Sequence, residues 1–470
     1  MGASDVKAAS DKRTEAMGQE TISKLLLRFS VPAIIAAETA AGYNLFDAIW
    51  CSRLGAEALA ALTVSGPLMM IFRAIGSGIG VGAASLIARK LGAGKKEETN
   101  RVAGCSISLF FIVSGLMTII CLMNLKTLLR LFGADDLVLP FAESYMFVET
   151  CSIAVDFFLV VLVELVRVGG SPTLASTSMI IASLLDLIWS PILLFGLGPF
   201  PALGMAGAAL GTTIGRGVGV SILLIYIILG KSIYQFKSSY FLPNLKTVID
   251  IYSIGLSQTV RAGSASIAQA IASRTAASYG VIALGVLGVL YKVNSIVFGF
   301  CQGISQGVLP LTGYNFAAQK KERVGEIVVK AGLISFTWGV LCWVGATLFS
   351  TQVMSLFGTD PDFFAIGIQA LRLFALGFFL VGVQTNLSSF FQGIGRPIQA
   401  LVIASSRQLI FLIPCLLIMP NMFGLTGLWA AYPVADVFAL VLTLTWTGIT
   451  FRSLKIPFHF RSISTVERDQ

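Results

Sequence analysis

Charge is scarce in this chain. Asp, Glu, Lys and Arg make up 12% of its 470 residues, against roughly 25% in soluble globular proteins. With 56% hydrophobic residues and a mean hydropathy of +0.84, that scarcity excludes a water-soluble enzyme carrying a single anchor. Histidine is nearly absent: the only one is His459, in the C-terminal tail. Proton chemistry inside the apolar body therefore falls to Asp, Glu, Lys or Tyr. The seven cysteines, at 51, 105, 121, 151, 301, 342 and 415, lie in apolar runs or at their edges, without a CxxC pair. They read as small buried residues rather than a disulfide framework or a metal site. No GxxxxGK[ST] stretch occurs, so no nucleotide-driven pump is indicated. Without a nucleophile–base pair or a metal cluster, neither an enzyme nor a cofactor is expected.

What is present is a series of long apolar segments. They fall at about 29–51, 60–86, 102–124, 142–165, 174–197 and 205–230, then at about 248–272, 283–311, 326–350, 363–391, 399–420 and 424–450. Each is long enough to cross a bilayer, which takes roughly 20 helical residues. The fold expected is all-α and polytopic, with twelve transmembrane helices. The net charge of +9 does not argue for nucleic acid, because the basic residues cluster between spans. Arg89 to Arg101, Gln319 to Arg323, and Lys231, Lys237 and Lys246 all fall on one side of a twelve-span chain. Asp135, Asp136, Asp360 and Asp362 fall on the other, with Lys126 and Arg130 as exceptions. The positive-inside rule then puts both termini in the cytoplasm, in a cytoplasmic (inner) membrane. Residues 1–23 show no cleavable signal and read as a mobile cytoplasmic tail.

The two halves repeat. GIGVG begins at Gly78 and GISQG at Gly303, an offset of 225 (303 − 78). The same offset relates Lys95 and Lys96 to Lys320 and Lys321, Leu131 and Phe132 to Leu356 and Phe357, and Gly170 and Pro172 to Gly395 and Pro397. Six spans per half, an even number, means that both halves enter the membrane in the same direction. That is a parallel pseudo-two-fold repeat with its axis along the membrane normal. The expected divisions are a tail at 1–23, an N-lobe at 24–230, a cytoplasmic linker at 231–247, a C-lobe at 248–452 and a tail at 453–470. Two facing lobes leave a central cleft, and rocking one against the other would open it to each side in turn.

The first span, FSVPAIIAAETAAGYNLFDAIWC from Phe29 to Cys51, carries an acid where lipid would otherwise be. Asp47 near its end shares a helix face with Tyr43 and Asn44. A polar face on an apolar helix looks at protein or at a water-filled cavity. Asp47 is therefore expected to line such a cavity and bind a cation or proton. Its position alone leaves open an acid that caps or pairs near the membrane surface.

The stretches YNLFDAIWCSRLGAEALAAL, GSGIGVGAASLIARKLGAGKKEE, GISQGVLPLTGYNFAAQKKERV, FFQGIGRP and LFGLGPFPALGMAGAALGTT resemble the multidrug and toxic compound extrusion (MATE) family. The match is closest to its prokaryotic cation-coupled branch and runs from about Thr21 to Ser453. The resemblance implies a secondary antiporter that expels amphipathic, often cationic organic compounds while Na+ or H+ enters. It implies that Asp47 is a coupling acid. It also implies a fifth-helix Asn-x-x-x-Asp-Pro motif. Here the chain reads Asp186-Leu187-Ile188-Trp189-Ser190-Pro191, so the acid has moved by one turn. Thr212 matches a hydroxyl that the family uses to hold the cation.

The coupling set expected is thus Asp47, Asp186, Asn44, Ser190 and Thr212, with Na+ at Asp47 and Asp186 as one of two ion choices. The repeat partners of the two acids are Ala272 and Phe411 (47 + 225 and 186 + 225), which places coupling in the first lobe. Tyr43 is a cavity-lining candidate. Asp156 and Glu164 either pair with arginine or line the cleft. Lys292, Arg407 and Asp436 are expected to form a C-lobe charge network, and Glu38 a helix contact. Arg73, Arg216, Arg261 and Arg372 read as snorkelling residues near interfaces. The partners expected are small organic substrates and the lipid bilayer, with the protein acting as a monomer. A flippase for lipid-linked sugars on the same fold is the competing reading. Its substrate would want a strongly basic cavity, which the N-lobe acids oppose.

Overall fold

The computed structural model describes residues 12–357 and 360–457, without the side chains at 44, 45, 48 and 56. The helices are α1 (Ile22–Ser52), α2 (Ala56–Gly92), α3 (Lys96–Leu131), α4 (Leu139–Cys151), α5 (Ile153–Val168), α6 (Pro172–Phe195) and α7 (Met205–Ile228). The second half holds α8 (Leu245–Ser278), α9 (Val281–Ala317), α10 (Lys321–Leu348), α11 (Ser350–Ser355), α12 (Pro361–Ala375), α13 (Phe378–Gly393), α14 (Pro397–Ser405) and α15 (Ile413–Leu454). A π-helical turn, Ser406–Leu412, joins α14 to α15.

These helices make twelve spans in two six-span lobes. Eight stretches are long and apolar enough to cross a membrane as they stand. Two bent pairs, α4 with α5 (49°) and α12 with α13 (41°), add two more. The stretch Pro397–Leu454 counts once in that tally but is broken at Gly424, whose φ of 60° and ψ of −144° no helix contains. It is two spans. The twelfth is α8, 34 residues long. Its Ser, Thr, Gln and Arg content keeps it below the hydropathy of a lipid-facing helix, because much of it faces the other lobe and the central cleft.

Apolar side chains face outward and polar ones inward. Ile119, Met123, Ile228, Val441 and Ile449 are exposed on the outside, as lipid contact requires. Ser305, Gln384, Asn386 and Gln392 are buried within.

The repeat holds in the backbone at the same offset. The bend at Ser152 recurs at Gly377 (152 + 225), and the start of α2 at Ala56 recurs at the start of α9 at Val281. Gly55 and Gly280 share a positive φ, 121° and 113°, as do Gly170 and Gly395, 87° and 74°. Gly204 (φ 56°, ψ −137°) and Gly424 (φ 60°, ψ −144°) adopt the same conformation at a shorter offset of 220 (424 − 204). The connection before Gly204 is therefore longer than its counterpart by the difference.

The lobes meet tightly at one end. Gly82 on α2 packs against the carbonyl of Ile251 on α8, and Gly255 on α8 against the carbonyl of Gly78. Only a residue without Cβ permits backbones this close. The Gln392 side chain donates to Ser257 Oγ at 3.0 Å, and Ser85 Oγ donates to the Gln392 carbonyl. The segment expected as a mobile tail adds to this seam: residues 12–19 are helical and Met17 is fully buried. Arg13 donates to Tyr226 Oη at 2.9 Å in one lobe. Asn315 and Lys320 of the other donate to the Met17 and Gly18 carbonyls at 3.0 and 2.8 Å. The basic loops after α2 and α9 lie at this closed end.

Candidate functional site

Beyond the seam the lobes part around a cavity of about 510 Å³. Its N-lobe wall is charged. On α7, Arg216 lies 3.3 Å from Asp156 of α5 and 3.5 Å from Glu149 of α4. Tyr145 Oη, one turn before Glu149, donates to Glu149 Oε1 at 3.5 Å. Glu164 and Arg167 form an ion pair one turn apart on α5, and Arg73 of α2 reaches into the cavity. Tyr43 of α1 faces both Arg73 and Arg216.

Asp186 stands in a cradle of hydroxyls. Its Oδ1 accepts from Ser190 Oγ at 2.6 Å and from Thr212 Oγ1 at 3.0 Å. Ser190 reaches it because i and i+4 share a face of α6. Thr212 reaches it because α7 packs directly along α6 through Gly211 and Gly215, whose Cα atoms rest on Ser190 and Ala182. Asp186 is 3% exposed, and it lines the cavity with Thr212.

Asp47 is set differently from expectation. Among the described residues, those of α1 on the cavity are Ala40 and Tyr43. Asp47, one turn on, is not among the cavity-lining residues, and α1 packs along α6. The charges acting on it are Asp186, Glu149, Arg216 and Arg73. Among the described residues, its Oδ1 is buried without a hydrogen-bond partner. The Asn44 side chain lies outside the described residues.

Five acids, Asp47, Glu149, Asp156, Glu164 and Asp186, thus share this lobe interior with three arginines, Arg73, Arg167 and Arg216. The excess is two carboxylates (5 − 3 = 2). Among the described residues, neither Asp47 nor Asp186 has a cation within 4.0 Å, whereas Glu149, Asp156 and Glu164 do. Carboxylates in low dielectric that lack such a partner must take up a proton or a cation. The buried unpartnered oxygen of Asp47 and the three oxygens clustered at Asp186, Ser190 and Thr212 are hard donors of the kind sodium takes.

Several expectations change. Asp156 and Glu164 do both things left open: they pair with arginine and line the cavity. Arg73, Arg216 and Arg261 do not snorkel at an interface. They line the cavity, because the hollow gives a guanidinium water or carboxylates without leaving the membrane interior. Arg372 is exposed and donates to Ser350 Oγ at 3.3 Å. In the C-lobe, Arg407 and Asp436 pair at 2.5 Å, but Lys292 does not join them. It is exposed, with its ammonium 5.4 Å from the Phe357 ring, where the chain leaves the membrane. Glu38 makes the helix contact expected, against Gly299 of α9. Glu149 was missed. Its signal was present, an acid within an apolar run, but nothing local distinguishes it from a surface residue at a span's end.

Known proteins match this arrangement. The "Multidrug export protein MepA" of Staphylococcus haemolyticus (strain JCSC1435) is 23% identical over 455 residues, covering 96% of both chains. The "FAD transporter" of Shewanella oneidensis (strain ATCC 700550 / JCM 31522 / CIP 106686 / LMG 19005 / NCIMB 14063 / MR-1) is 23% identical over 417 residues, 88% of this chain and 92% of its own. A solved structure described as the outward-facing conformation of a multidrug resistance MATE family transporter of the MOP superfamily superposes with a TM-score of 0.88. It is 26% identical and covers 94% of this chain and 98% of that one. The MatE family pattern matches residues 32–192 and 264–417, one block in each lobe. With that pattern spread over both lobes, and the fold shared along nearly its full length, the chain belongs to the MATE family of membrane transporters.

Proposed function

We propose that the protein exports amphipathic, often cationic organic compounds in exchange for Na+ or H+, with Asp47 and Asp186 as the exchanging acids. The observation that carries this is the excess of two carboxylates in the interior cluster of the first lobe, where Asp47 and Asp186 have no cation within 4.0 Å among the described residues. Ser190 and Thr212 hold the Asp186 carboxylate in place. Tyr43 couples the cluster to the cavity through Arg73 and Arg216. When a cation enters, the cluster's excess negative charge is reduced, and the turns of α1 and α6 that carry it can repack. Such a local change is amplified because packed helices have discrete arrangements rather than a continuum.

The basic loops support a cytoplasmic side for the closed seam by the positive-inside rule, and on this reading the cavity opens away from the cytoplasm. The multidrug activity named for the staphylococcal relative agrees with a large cavity of mixed polarity, as does the outward-facing description of the structural neighbour. Both fit rocking of the lobes that opens and closes the glycine seam.

The test is ethidium accumulation in inside-out vesicles under an imposed sodium or proton gradient. Asp186→Asn is expected to abolish the gradient-driven part while leaving the protein in the membrane at normal levels. Gradient-driven uptake at the wild-type rate in that variant would overturn the assignment. Replacing sodium by choline at fixed pH identifies the ion.

A further inference from the structure

The C-lobe has a cavity of its own, about 330 Å³, adjoining the larger one. Arg261 of α8 lines both, and Arg407 lines the smaller. Arg407 is held by Asp436. Arg261 is not held by any acid: among the described residues no carboxylate lies within 4.0 Å of it. Its contacts are Gln302 Oε1 at 3.4 Å and the face of Phe298, with the guanidinium 5.8 Å from the ring centre. The charge acting on it is Arg407, another cation. Two guanidinium groups therefore face one hollow against a single carboxylate, and the balance there is positive. This is the reverse of the N-lobe wall.

The rest of the lining suits a flat ring. Phe298, Phe374, Tyr291 and Tyr432 border the cavity. The Phe374 and Tyr432 rings are 4.6 Å apart, and the Tyr291 and Tyr432 hydroxyls share a hydrogen bond of 2.7 Å. Aromatic walls offer stacking surface with little loss of side-chain freedom. Arg407 stands on the π-helical turn Ser406–Leu412, an irregularity found often at functional sites. The repeat aligns that turn with residues 181–187 of α6, the stretch that carries Asp186 (406 − 225 and 412 − 225). The corresponding turns of the two lobes thus present an acid in one and a base in the other.

We propose that the C-lobe cavity is a subsite for the oxyanion of a substrate that also carries a flat ring. A carboxylate or phosphate ester would pair with the Arg261 guanidinium, and the ring would lie among Tyr291, Phe298, Phe374 and Tyr432. This rests on the export reading and names a substrate class for it: aromatic acids and zwitterions, as well as simple organic cations.

Two probe pairs test it, each sharing a ring and differing in the oxyanion: flavin mononucleotide against riboflavin, and norfloxacin against its ethyl ester. Binding is measured by fluorescence titration on the full chain in lipid nanodiscs. The oxyanion member of at least one pair is expected to bind about tenfold tighter or more, the value of a charge-assisted hydrogen bond. Arg261→Gln is expected to bring that ratio to about one, and Arg261→Lys to retain part of it. A variant that had merely lost its fold would lose riboflavin binding as well. A preference in only one pair identifies phosphate or carboxylate as the group taken. Equal binding within both pairs, or a preference that survives Arg261→Gln, would overturn the proposal. These are equilibrium measurements without a gradient. An oxyanion preference alongside uncoupled transport would therefore sink the export reading and leave the subsite standing.

Discussion

Adding one methyl group at Gly82 should move the whole transporter between states. A Cβ there would stand 2.9 Å from the Ile251 carbonyl carbon and closer still to its oxygen, whereas ordinary contact begins at 3.4 Å. The overlap falls on backbone, which has no rotamer to yield. The α2 and α8 helices must part. Overpacking of this kind typically costs about 1–3 kcal/mol. The cost falls only on the conformation in which the seam is closed, so it acts as a bias between states. A bias of that size shifts the equilibrium about 5- to 150-fold. Gly82→Ala should therefore populate the form with the seam open. The assay is a spin-label distance between Glu97→Cys and Glu322→Cys, introduced on a background without native cysteines. Both positions are exposed at the closed end and are related by the repeat. The expected result is a longer distance gaining population in Gly82→Ala. An unchanged distance distribution in a variant that folds would refute the idea that this seam is the closed gate.

Arg216→Met should leave Glu149 and Asp156 buried without their shared cation. Breaking such a pair costs about 3–5 kcal/mol, seen as a lower unfolding temperature in detergent, and Arg216→Met combined with Glu149→Gln should recover part of it. Ser190→Ala removes one charge-assisted hydrogen bond from Asp186, worth about 1.5–3 kcal/mol. The sodium or proton concentration that half-saturates coupled efflux should shift about tenfold or more. Arg323→Ala removes donors at 3.3 and 2.6 Å to the Met17 and Glu20 carbonyls. Hydrogen exchange at residues 12–20 should then quicken while the N-lobe core is unaffected.

Much of the fold could be read in advance. Apolar length marked all twelve spans, including the two bent ones, because a bend does not interrupt hydropathy. The constant offset between the halves marked the repeat, since loops with no packing reason to resemble each other kept the same register. Part of the Asp186 cradle was also legible: i and i+4 put Ser190 on the face of Asp186, whereas Thr212 came from the resemblance to the family. Depth was not. The sequence placed Asp47, Arg73 and Arg216 within spans but carried no information on which of them face the hollow between the lobes. So Asp47, expected on the cavity, is not among its lining residues, while the arginines expected at interfaces are. Lys292 was grouped with Arg407 and Asp436 by lobe alone. Nothing in sequence spacing distinguishes a residue at a span's outer end from one facing its neighbours. The fixed helix 12–19 escaped because its anchors, Tyr226 in one lobe and Asn315, Lys320 and Arg323 in the other, all lie far along the chain.

Asp47 and Asp186, the two carboxylates of the interior cluster without a cation within 4.0 Å among the described residues, are proposed to exchange a small cation for each outward step. The most direct test of that exchange is simultaneous measurement of ethidium movement and cation flux, with radiolabelled sodium and a pH-sensitive dye in the same proteoliposomes. The account predicts that one of the two cations moves opposite to ethidium in the wild type, and that this opposing flux vanishes in Asp47→Asn. Ethidium transport without any opposing flux in the wild type, or an opposing flux that persists in Asp47→Asn, would contradict it.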